Sequence, residues 1–371
     1  MSTCPDINLC DAAVYRDGDI MRALFARIAA ATTRPWRIME VCGGQTFTLS
    51  RYRIEELLPA GIEMVHGPGC PVCVTPPHII DEAIEIACRP NVTLCSFGDM
   101  LRVPGSQGSL LRAKAAGADV RILYSPLDSL KIAADNPDRQ VVFFAIGFET
   151  TTPSYAVLAQ KAVEAGIANL SLLTSLFTVP AAVEAIKSDG ECKVDALLAA
   201  GHVCAVTGTG QYEDLARKFA MPVVITGFEP ADMLLGILKA VEMLESGTPG
   251  VANAYSRVVA PNGNPAAIKA VAEVFEPCAN EWRGIGTIAD GGLKLRDKYE
   301  HLDAHLRFNL KTDTVRHTDE NEGCLAGKIM KGLARPCDCT LFAAGCTPGS
   351  PHGAPMVSAE GVCAAYYRYR I

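Results

Sequence analysis

Two cysteines, separated by two other residues, lie in the segment Gly67-Pro68-Gly69-Cys70-Pro71-Val72-Cys73. Thiols at this spacing can close a small disulfide ring or share a metal, and a positive environment would lower the pKa of one of them. Two half-buried cysteines in a tight turn are the plain alternative, but such a turn has no need of thiols. Zinc normally requires a second pair of ligands, and Cys42 supplies only a third thiol. The motif therefore favours a redox-active or iron-handling pair.

Cys42 stands between a short apolar segment and two glycines, Gly43 and Gly44. A lone cysteine after a strand is often a small buried hydrophobic residue. Here the glycines let backbone approach a ligand closely, and the loop is expected to face the same crevice as Cys70 and Cys73. We predict that Cys42 is a metal ligand.

Other polar residues also follow directly after apolar segments; they are Asp99, Glu149, His202 and Glu229. Taken alone, His202 is best explained as a loop histidine whose hydrogen bonds are made within the protein. Glu149 could simply lie at the start of a helix, where the neighbouring threonines supply capping hydroxyls. The loops beyond the carboxyl ends of parallel strands, however, converge on the ligand crevice of an open sheet. We therefore predict that Glu149, His202 and Glu229 share a catalytic site with the three cysteines.

A second group of cysteines lies near the C-terminus, within about forty residues; its members are Cys324, Cys337, Cys339, Cys346 and Cys363. Four thiolates suffice for a [4Fe–4S] cluster. A four-cysteine zinc site is the main competitor, although the two C-x-x-C knuckles typical of zinc are missing. Cysteines buried in a helical tail are the third interpretation. One of the five is surplus to a cluster, and we predict that it is Cys337, because Cys339 keeps the fixed spacing to Cys346.

Strands and helices alternate along most of the chain, which predicts parallel sheets built from βαβ crossovers. The predicted strands are 36–41, 62–65, 92–97, 120–124, 141–146, 170–173, 196–199 and 223–226. The predicted helices are 20–30, 47–58, 79–88, 108–116, 127–134, 155–164, 181–187, 212–219 and 233–244.

A polar stretch at 135–139 reads as a linker between two α/β units of similar size. We predict an N-terminal helical segment over 1–35, α/β domain I over 36–138 and α/β domain II over 139–250. From 251 onward the alternation fades. Residues 251–371 are predicted to be a mostly helical and loop domain that carries the iron–sulfur cluster.

Bulk properties exclude several classes of protein. A chain of 371 residues exceeds the size of one hydrophobic core, and its net charge of −7 contains no polybasic stripe for nucleic acid. No signal peptide or membrane-spanning run is recognisable, so we expect a cytoplasmic protein without membrane insertion. In that reducing compartment, 15 cysteines are better explained as metal ligands, redox thiols and buried small residues than as a disulfide framework.

The chain resembles the HypD family of hydrogenase maturation proteins from about residue 36 to the C-terminus. The motifs that carry this resemblance are 38–44, 67–73, 97–105, 147–151, 201–203, 227–230, 281–284 and 356–367. Motifs of this length in this order are highly specific.

The resemblance implies a scaffold rather than a conventional turnover enzyme. Proteins of this family associate with a HypC-type chaperone and hold the iron on which cyanide and carbon monoxide ligands are assembled. A HypE-type protein, with its carbamoyltransferase partner, delivers the cyanide. The family fold is two similar α/β domains and a third domain with a [4Fe–4S] cluster.

The same resemblance implies particular roles for the cysteines. Cys42 is then the iron contact, and Cys70 with Cys73 is the redox pair. The positions that match the cluster ligands are Cys324, Cys339, Cys346 and Cys363.

One motif departs from the family. The family commonly reads Cys-Gly-x-His-x-His, whereas this chain reads Cys42-Gly43-Gly44-Gln45-Thr46-Phe47. Gln45 can form hydrogen bonds but is a poor iron ligand, so iron ligation falls to Cys42 and the partner protein. The alternative functions are a thiol–disulfide oxidoreductase that uses Cys70 and Cys73, and a structural zinc protein.

Overall fold

The computed structural model describes residues 12–106, 108–310 and 323–371. The strands are β1 Trp36–Glu40, β2 Ile62–His66, β3 Val92–Ser96, β4 Val120–Ile122, β5 Gln140–Gly147, β6 Leu170–Phe177, β7 Ala196–Ala200, β8 Pro222–Thr226, β9 Gly250–Asn253, β10 Phe275–Trp282 and β11 Gly286–Leu295.

The α-helices are α1 Gly18–Ala31, α2 Gly43–Arg51, α3 Ile54–Leu57, α4 Pro71–Val74, α5 Pro77–Ala87, α6 Leu110–Ala115, α7 Asp128–Asp135, α8 Thr152–Glu164, α9 Val179–Ser188, α10 Gly201–Thr207, α11 Gly210–Phe219, α12 Pro230–Glu245, α13 Pro265–Val274, α14 Ala304–Phe308, α15 Ala326–Met330 and α16 Val362–Tyr369. Short 3-10 helices are Ala12–Arg16, Gly98–Arg102, Asp297–Leu302, Pro336–Asp338 and Ala354–Met356.

Two sheets organise these elements. Sheet A has the strand order β2-β1-β7-β8-β9 and is parallel throughout. Sheet B has the order β10-β11-β6-β5-β3-β4; β4, β3, β5 and β6 are parallel, and the β10–β11 hairpin joins them antiparallel. The predicted fold class, α/β with parallel sheets flanked by helices, is confirmed.

The strands of each sheet come from separate parts of the chain. Sheet A takes β1 and β2 from residues 36–66 and its other strands from residues 196–253, while β3 to β6 of sheet B lie between them. The predicted boundary at residues 138 and 139 therefore does not separate the two sheets. The local hydrophobic pattern predicts where each strand and helix lies in the sequence. The order of the strands in a sheet depends instead on hydrogen-bonded pairing between distant segments.

Apolar packing on both faces holds each sheet between helices. Strand β5 is almost continuously apolar and buried, as expected for a central parallel strand. Long helix α12 covers one face of sheet A and packs against α1 in one shared core that includes Ile28 and Ile237. The predicted N-terminal helix thus becomes part of the sheet A layer; residues 1–11 lie outside the described range.

The region predicted to begin at residue 251 contributes to both sheets. Strand β9 forms the edge of sheet A, and β10 with β11 extends sheet B. Strand β10 is fully buried only at its two ends, Phe275 and Trp282, and the residues between them, which include Glu276 and Asn280, are half-buried or exposed, so no apolar run marks this strand in the sequence. Residues 323–371 consist of turns and short helices. In the described ranges, no helix is long and apolar enough to cross a bilayer.

Candidate functional site

The order of strands creates a crevice in sheet A. After β1 the chain moves outward to β2, whereas after β7 it moves in the opposite direction to β8. Ligand sites of open α/β sheets lie at such reversals, beyond the carboxyl ends of the two central strands. Cys42 follows β1 as the residue before α2, and His202 lies in the first turn of α10 after β7. The Cys42 Sγ atom is 3.8 Å from each ring nitrogen of His202.

Burial keeps this pair neutral. Cys42 is only 5% exposed, and burial raises the pKa of its thiol, with the Glu40 carboxylate adding to the shift. Burial also lowers the pKa of His202 to about 4. A thiolate–imidazolium pair is therefore disfavoured in the metal-free protein. Binding a metal through this sulfur must displace a proton.

The predicted thiol pair belongs to the same buried cluster as Cys42. Cys70 and Cys73 form a disulfide with a Cα–Cα distance of 5.2 Å, and both are buried. Pro71 occupies the first position of α4, where its missing N–H costs nothing. A Cβ on Gly69 would meet the Cys42 Cα at 2.5 Å, so only glycine permits this approach. The structure thus brings Cys42, His202, Cys70 and Cys73 together.

A buried carboxylate fixes the Cys42 backbone. Glu40 Oε2 accepts a hydrogen bond from the Cys42 N–H at 2.8 Å. Its Oε1 accepts from Thr46 Oγ1 at 2.5 Å and contacts His66 Nδ1 at 2.6 Å. Both Glu40 and His66 are buried at the carboxyl ends of adjacent strands.

The same network continues to the C-terminal helix. His66 Nε2 lies 2.9 Å from Tyr366 Oη and 3.3 Å from Glu55 Oε1, and the Tyr366 hydroxyl donates to Glu55 Oε2. Arg370 completes the chain with a 2.8 Å contact to Glu55. Burial alone would lower the pKa of His66, but Tyr366, Glu55 and Glu40 together raise it well above 6.5.

Glu40, His66 and Tyr366 are absent from the predicted site. Glu40 and Tyr366 lie within the motifs at 38–44 and 356–367, whereas the sequence signal for His66 is weak: a polar residue at a buried strand position needs a partner. That partner is 300 residues away in the case of His66 and Tyr366, which no local pattern reveals.

Glu360 is a further residue that the prediction misses. It lines a small cavity with Cys70 and Cys73, and its Cβ lies 2.5 Å from where a side chain on Gly43 would begin. Burial raises the pKa of Glu360, and the charge of Asp99 adds to the shift. Asp99 itself pairs with Arg102 rather than with a thiol. The motif at 356–367 was the available signal for Glu360.

The two other predicted carboxylates, Glu149 and Glu229, make contacts of their own. Glu149 follows β5, accepts a hydrogen bond from the Val179 N–H at 2.9 Å, and has a pKa that burial raises to about 7. Glu229 caps α12 in a reciprocal arrangement with Asp232 and pairs with Arg16 at 2.5 Å. These contacts are with Arg16 and Asp232, and the catalytic role of Glu229 stays a prediction.

Gln45 and Phe47 are both used in packing. The Gln45 amide is fully buried; it donates to Thr226 Oγ1 at 2.7 Å and to Ala199 O at 3.3 Å. Its oxygen accepts from the Val41 N–H at 3.3 Å. Phe47 packs edge-on against Tyr369. Gln45 thus ties the ends of β1, β7 and β8 together.

The C-terminal cysteines converge in part. Four of them border one small, mostly apolar cavity, and they are Cys324, Cys339, Cys346 and Cys363. Burial raises the pKa of Cys363, and the other three thiols add to the shift. Cys337 is exposed and does not line this cavity. Across the described ranges, no three or more His, Cys, Asp or Glu side chains are grouped closely enough to hold a metal ion.

Comparison with known proteins places this arrangement in a family. The HypD model, described as the Hydrogenase formation hypA family, matches residues 19–370. The chain belongs to the HypD family. The matched range contains every cysteine of the two sites described above.

Curated HypD-family relatives match over nearly their full length. The hydrogenase maturation factor HypD of Rhodobacter capsulatus is 45% identical over 367 residues, which cover 96% of this chain and 97% of the relative. That of Rhizobium leguminosarum bv. viciae is 46% identical, covering 96% and 94%. That of Escherichia coli K12 is 44% identical, covering 94% and 93%.

Proposed function

We propose that this protein is a maturation factor for nickel–iron hydrogenase that holds iron at Cys42 together with a HypC-type chaperone. Cyanide, supplied by a HypE-type protein, and carbon monoxide are assembled on that iron as the Fe(CN)2CO unit. The observation that carries this proposal is the meeting of Cys42, His202 and the Cys70–Cys73 disulfide at the strand reversal of sheet A.

Cys42 suits transient iron binding. A thiolate is a soft, strong ligand for iron, and a single protein sulfur leaves most coordination positions for the partner protein and for incoming ligands. Glu40 holds the Cys42 backbone by a hydrogen bond, and Gly69 packs closely against the same backbone. His202 lies close enough to receive the thiol proton as the metal arrives.

The disulfide suits an internal redox role. Opening the Cys70–Cys73 bond consumes two electrons and two protons and yields two thiols. An external thiolate would have to reach one of these sulfurs, but Cys70 is 3% exposed and Cys73 only 2%. This burial favours electron supply within the maturation complex over the alternative, a general thiol–disulfide oxidoreductase. We expect no catalysis of insulin reduction.

The four thiols around the C-terminal cavity have the donor set of a [4Fe–4S] cluster. Cys324, Cys339, Cys346 and Cys363 would hold the cluster, and when bound it would supply one-electron chemistry. The chain's own contribution is to keep these thiols in an apolar pocket at the start of α16, the helix that also carries Tyr366.

The deciding experiment is anaerobic co-purification of the full chain with a HypC-type chaperone, followed by infrared spectroscopy. Wild-type complex should show cyanide and carbonyl stretches, and Cys42→Ala should lose both the bands and the iron. Cys95→Ala is the matched control, because Cys95 is equally buried but lies in strand β3. Retention of iron and bands in Cys42→Ala would overturn the proposal.

A further inference from the structure

Helix α16 supports the segment that carries Cys42. It packs beside α2, the helix that begins directly after Cys42, and the rings of Phe47 and Tyr369 meet edge-on at a centroid distance of 5.5 Å. At the start of α2, a Cβ on Gly43 would lie 2.5 Å from the backbone oxygen of Glu360, so the segment that leads into α16 lies against the residue next to Cys42. The surroundings of Cys42 therefore include a helix from the end of the chain.

One carboxylate joins this support to the Cys42 backbone. Glu40 is fully buried, and its Oε2 accepts a hydrogen bond from the Cys42 N–H at 2.8 Å. Its Oε1 accepts from Thr46 Oγ1 at 2.5 Å and from His66 Nδ1 at 2.6 Å. A buried polar network is rigid when its hydrogen bonds are made, and it loses that rigidity when one is removed. The three donors therefore hold the Glu40 carboxylate, and the carboxylate holds the Cys42 backbone.

Tyr366 holds the far side of this network from α16. Its hydroxyl lies 2.9 Å from His66 Nε2 and donates to Glu55 Oε2 at 3.0 Å. Arg370, at the end of the same helix, pairs with Glu55 at 2.8 Å. Both ring nitrogens of His66 thus face oxygen acceptors, which a protonated imidazole satisfies with its two N–H donors. A continuous chain of hydrogen bonds therefore runs from α16 to the Cys42 N–H.

We propose that Tyr366 and Thr46 are positioning residues for metal binding at Cys42, which they orient through the Glu40 carboxylate. This inference rests on the proposed iron-binding role of Cys42. The Thr46 hydroxyl acts on Glu40 directly, whereas the Tyr366 hydroxyl acts through His66. When residues that orient a metal ligand are removed, metal affinity typically falls by about 10- to 100-fold, although these residues do not touch the metal.

The distances show how loss of the Tyr366 hydroxyl reaches the thiol. The acceptor that remains for His66 Nε2 is Glu55 Oε1, at 3.3 Å. The imidazole then moves toward Glu55, and its 2.6 Å hydrogen bond to Glu40 lengthens. A less firmly held Glu40 leaves the Cys42 N–H, and with it the direction of the Cys42 sulfur, less defined.

The test is the affinity of anaerobic full-length protein for Co²⁺, measured from the thiolate-to-cobalt absorption band under conditions in which circular dichroism shows each variant to be folded. Each titration is corrected by the same protein that also carries Cys42→Ser, which isolates the signal of that sulfur. We expect Tyr366→Phe to bind Co²⁺ about tenfold more weakly and to shift the ligand-field bands of the bound metal. Tyr369→Phe retains the ring contact with Phe47 and should match the wild type in both readouts.

A second pair of variants tests the other side of the carboxylate. Thr46→Val removes the hydroxyl at nearly constant shape and should also weaken binding, whereas Thr46→Ser keeps the hydroxyl and should bind more tightly than Thr46→Val. This pair decides the question if Tyr366→Phe does not fold.

A purely structural network would lower the denaturation midpoint but leave the folded protein with the affinity and bands of the wild type. Wild-type affinity and bands in folded Tyr366→Phe or Thr46→Val would therefore overturn the inference, as would equal affinities of Thr46→Ser and Thr46→Val. Identical titrations of the wild type and Cys42→Ser would instead overturn the metal-binding role of Cys42 itself.

Discussion

Removing one oxygen from Tyr366 tests the buried network that holds Cys42. In Tyr366→Phe the ring remains, but the hydroxyl no longer donates to Glu55 at 3.0 Å or pairs with His66 Nε2 at 2.9 Å. Hydrogen bonds to charged groups contribute about 1.5–3 kcal/mol each. His66 keeps its 3.3 Å contact with Glu55, and Glu55 keeps Arg370, so part of the loss is recovered. We expect a decrease of about 2–3 kcal/mol in the free energy of unfolding.

The assay is urea denaturation followed by circular dichroism, with Tyr369→Phe as the matched control on the same helix. Tyr369 packs on Phe47 through its ring, so loss of its hydroxyl should change stability by no more than about 0.5 kcal/mol. Equal denaturation midpoints for the two variants would refute the reasoning, because the hydroxyl of Tyr366 would then contribute nothing.

The loss of stability in Tyr366→Phe relative to the wild type should depend on pH. The pKa of His66 is raised above its unfolded value of 6.5, so its contribution is complete below pH 6.5 and is lost as pH rises through the folded pKa. Burial opposes the shift of Glu55, but His66 and Arg370 lower its pKa from 4.5 to about 2, so its contribution is lost as pH falls from 4.5 to 2. The gap between the wild type and Tyr366→Phe should be largest between pH 4.5 and 6.5. A gap that does not vary with pH would contradict this assignment.

Three other changes have defined outcomes. Cys337→Ala should keep the brown colour and about four irons per chain, whereas Cys339→Ala should lose both in iron and sulfide analysis; a colourless, zinc-containing wild type would refute the cluster. Gly69→Ala places a methyl group 2.5 Å from the backbone of Cys42, the proposed iron ligand, and should lower the iron retained with the chaperone, while Gly210→Ala, which faces open space, should not. Burial alone would lower the pKa of His305, but its carboxylate partners Asp303 and Glu82 raise that pKa to about 9. The stability that protonated His305 contributes should therefore be lost as the pH rises from 6.5 through 9. His305→Gln should flatten that part of a urea stability profile, and an unchanged slope would show that the pair is not formed.

The local elements of this fold could be predicted because hydrophobic periodicity is a local property. Strands β1 to β8 agree with the apolar segments, and the residues that follow β1, β2 and β7 include Cys42, Cys70 and His202. The pairing of β1 with β7 could not be predicted, since it depends on contacts between residues such as Ile38 and Ala196. Strand β10 could not be predicted either, because only its end residues, Phe275 and Trp282, are buried and no apolar run lies between them.

The role of an individual side chain was harder to predict, because it depends on contacts with residues that are distant in the sequence. Glu229 follows a strand as Glu149 does, and there it caps the N-terminus of α12 and pairs with Arg16. His66 ends a strand and was not predicted to belong to the site, although it is only 3% exposed and contacts Glu40. A position directly after a strand predicts that a residue lies at the carboxyl edge of the parallel sheet, where ligand sites form. The role of the residue depends on its contacts with distant parts of the chain, which the position does not predict.

The separation of β1 from β7 along the chain has a consequence for synthesis. Translation proceeds from the N-terminus, so β1 and β2 are synthesised well before residues 196–200, which form the strand that pairs with β1. Non-local pairing of this kind forms late, after the loop-closure cost has been met. Cys42 acquires His202 as a neighbour only when most of the polypeptide has been made. The site proposed to receive iron is therefore assembled at the end of folding, which couples metal loading to a finished protein and protects the growing chain from premature metal capture.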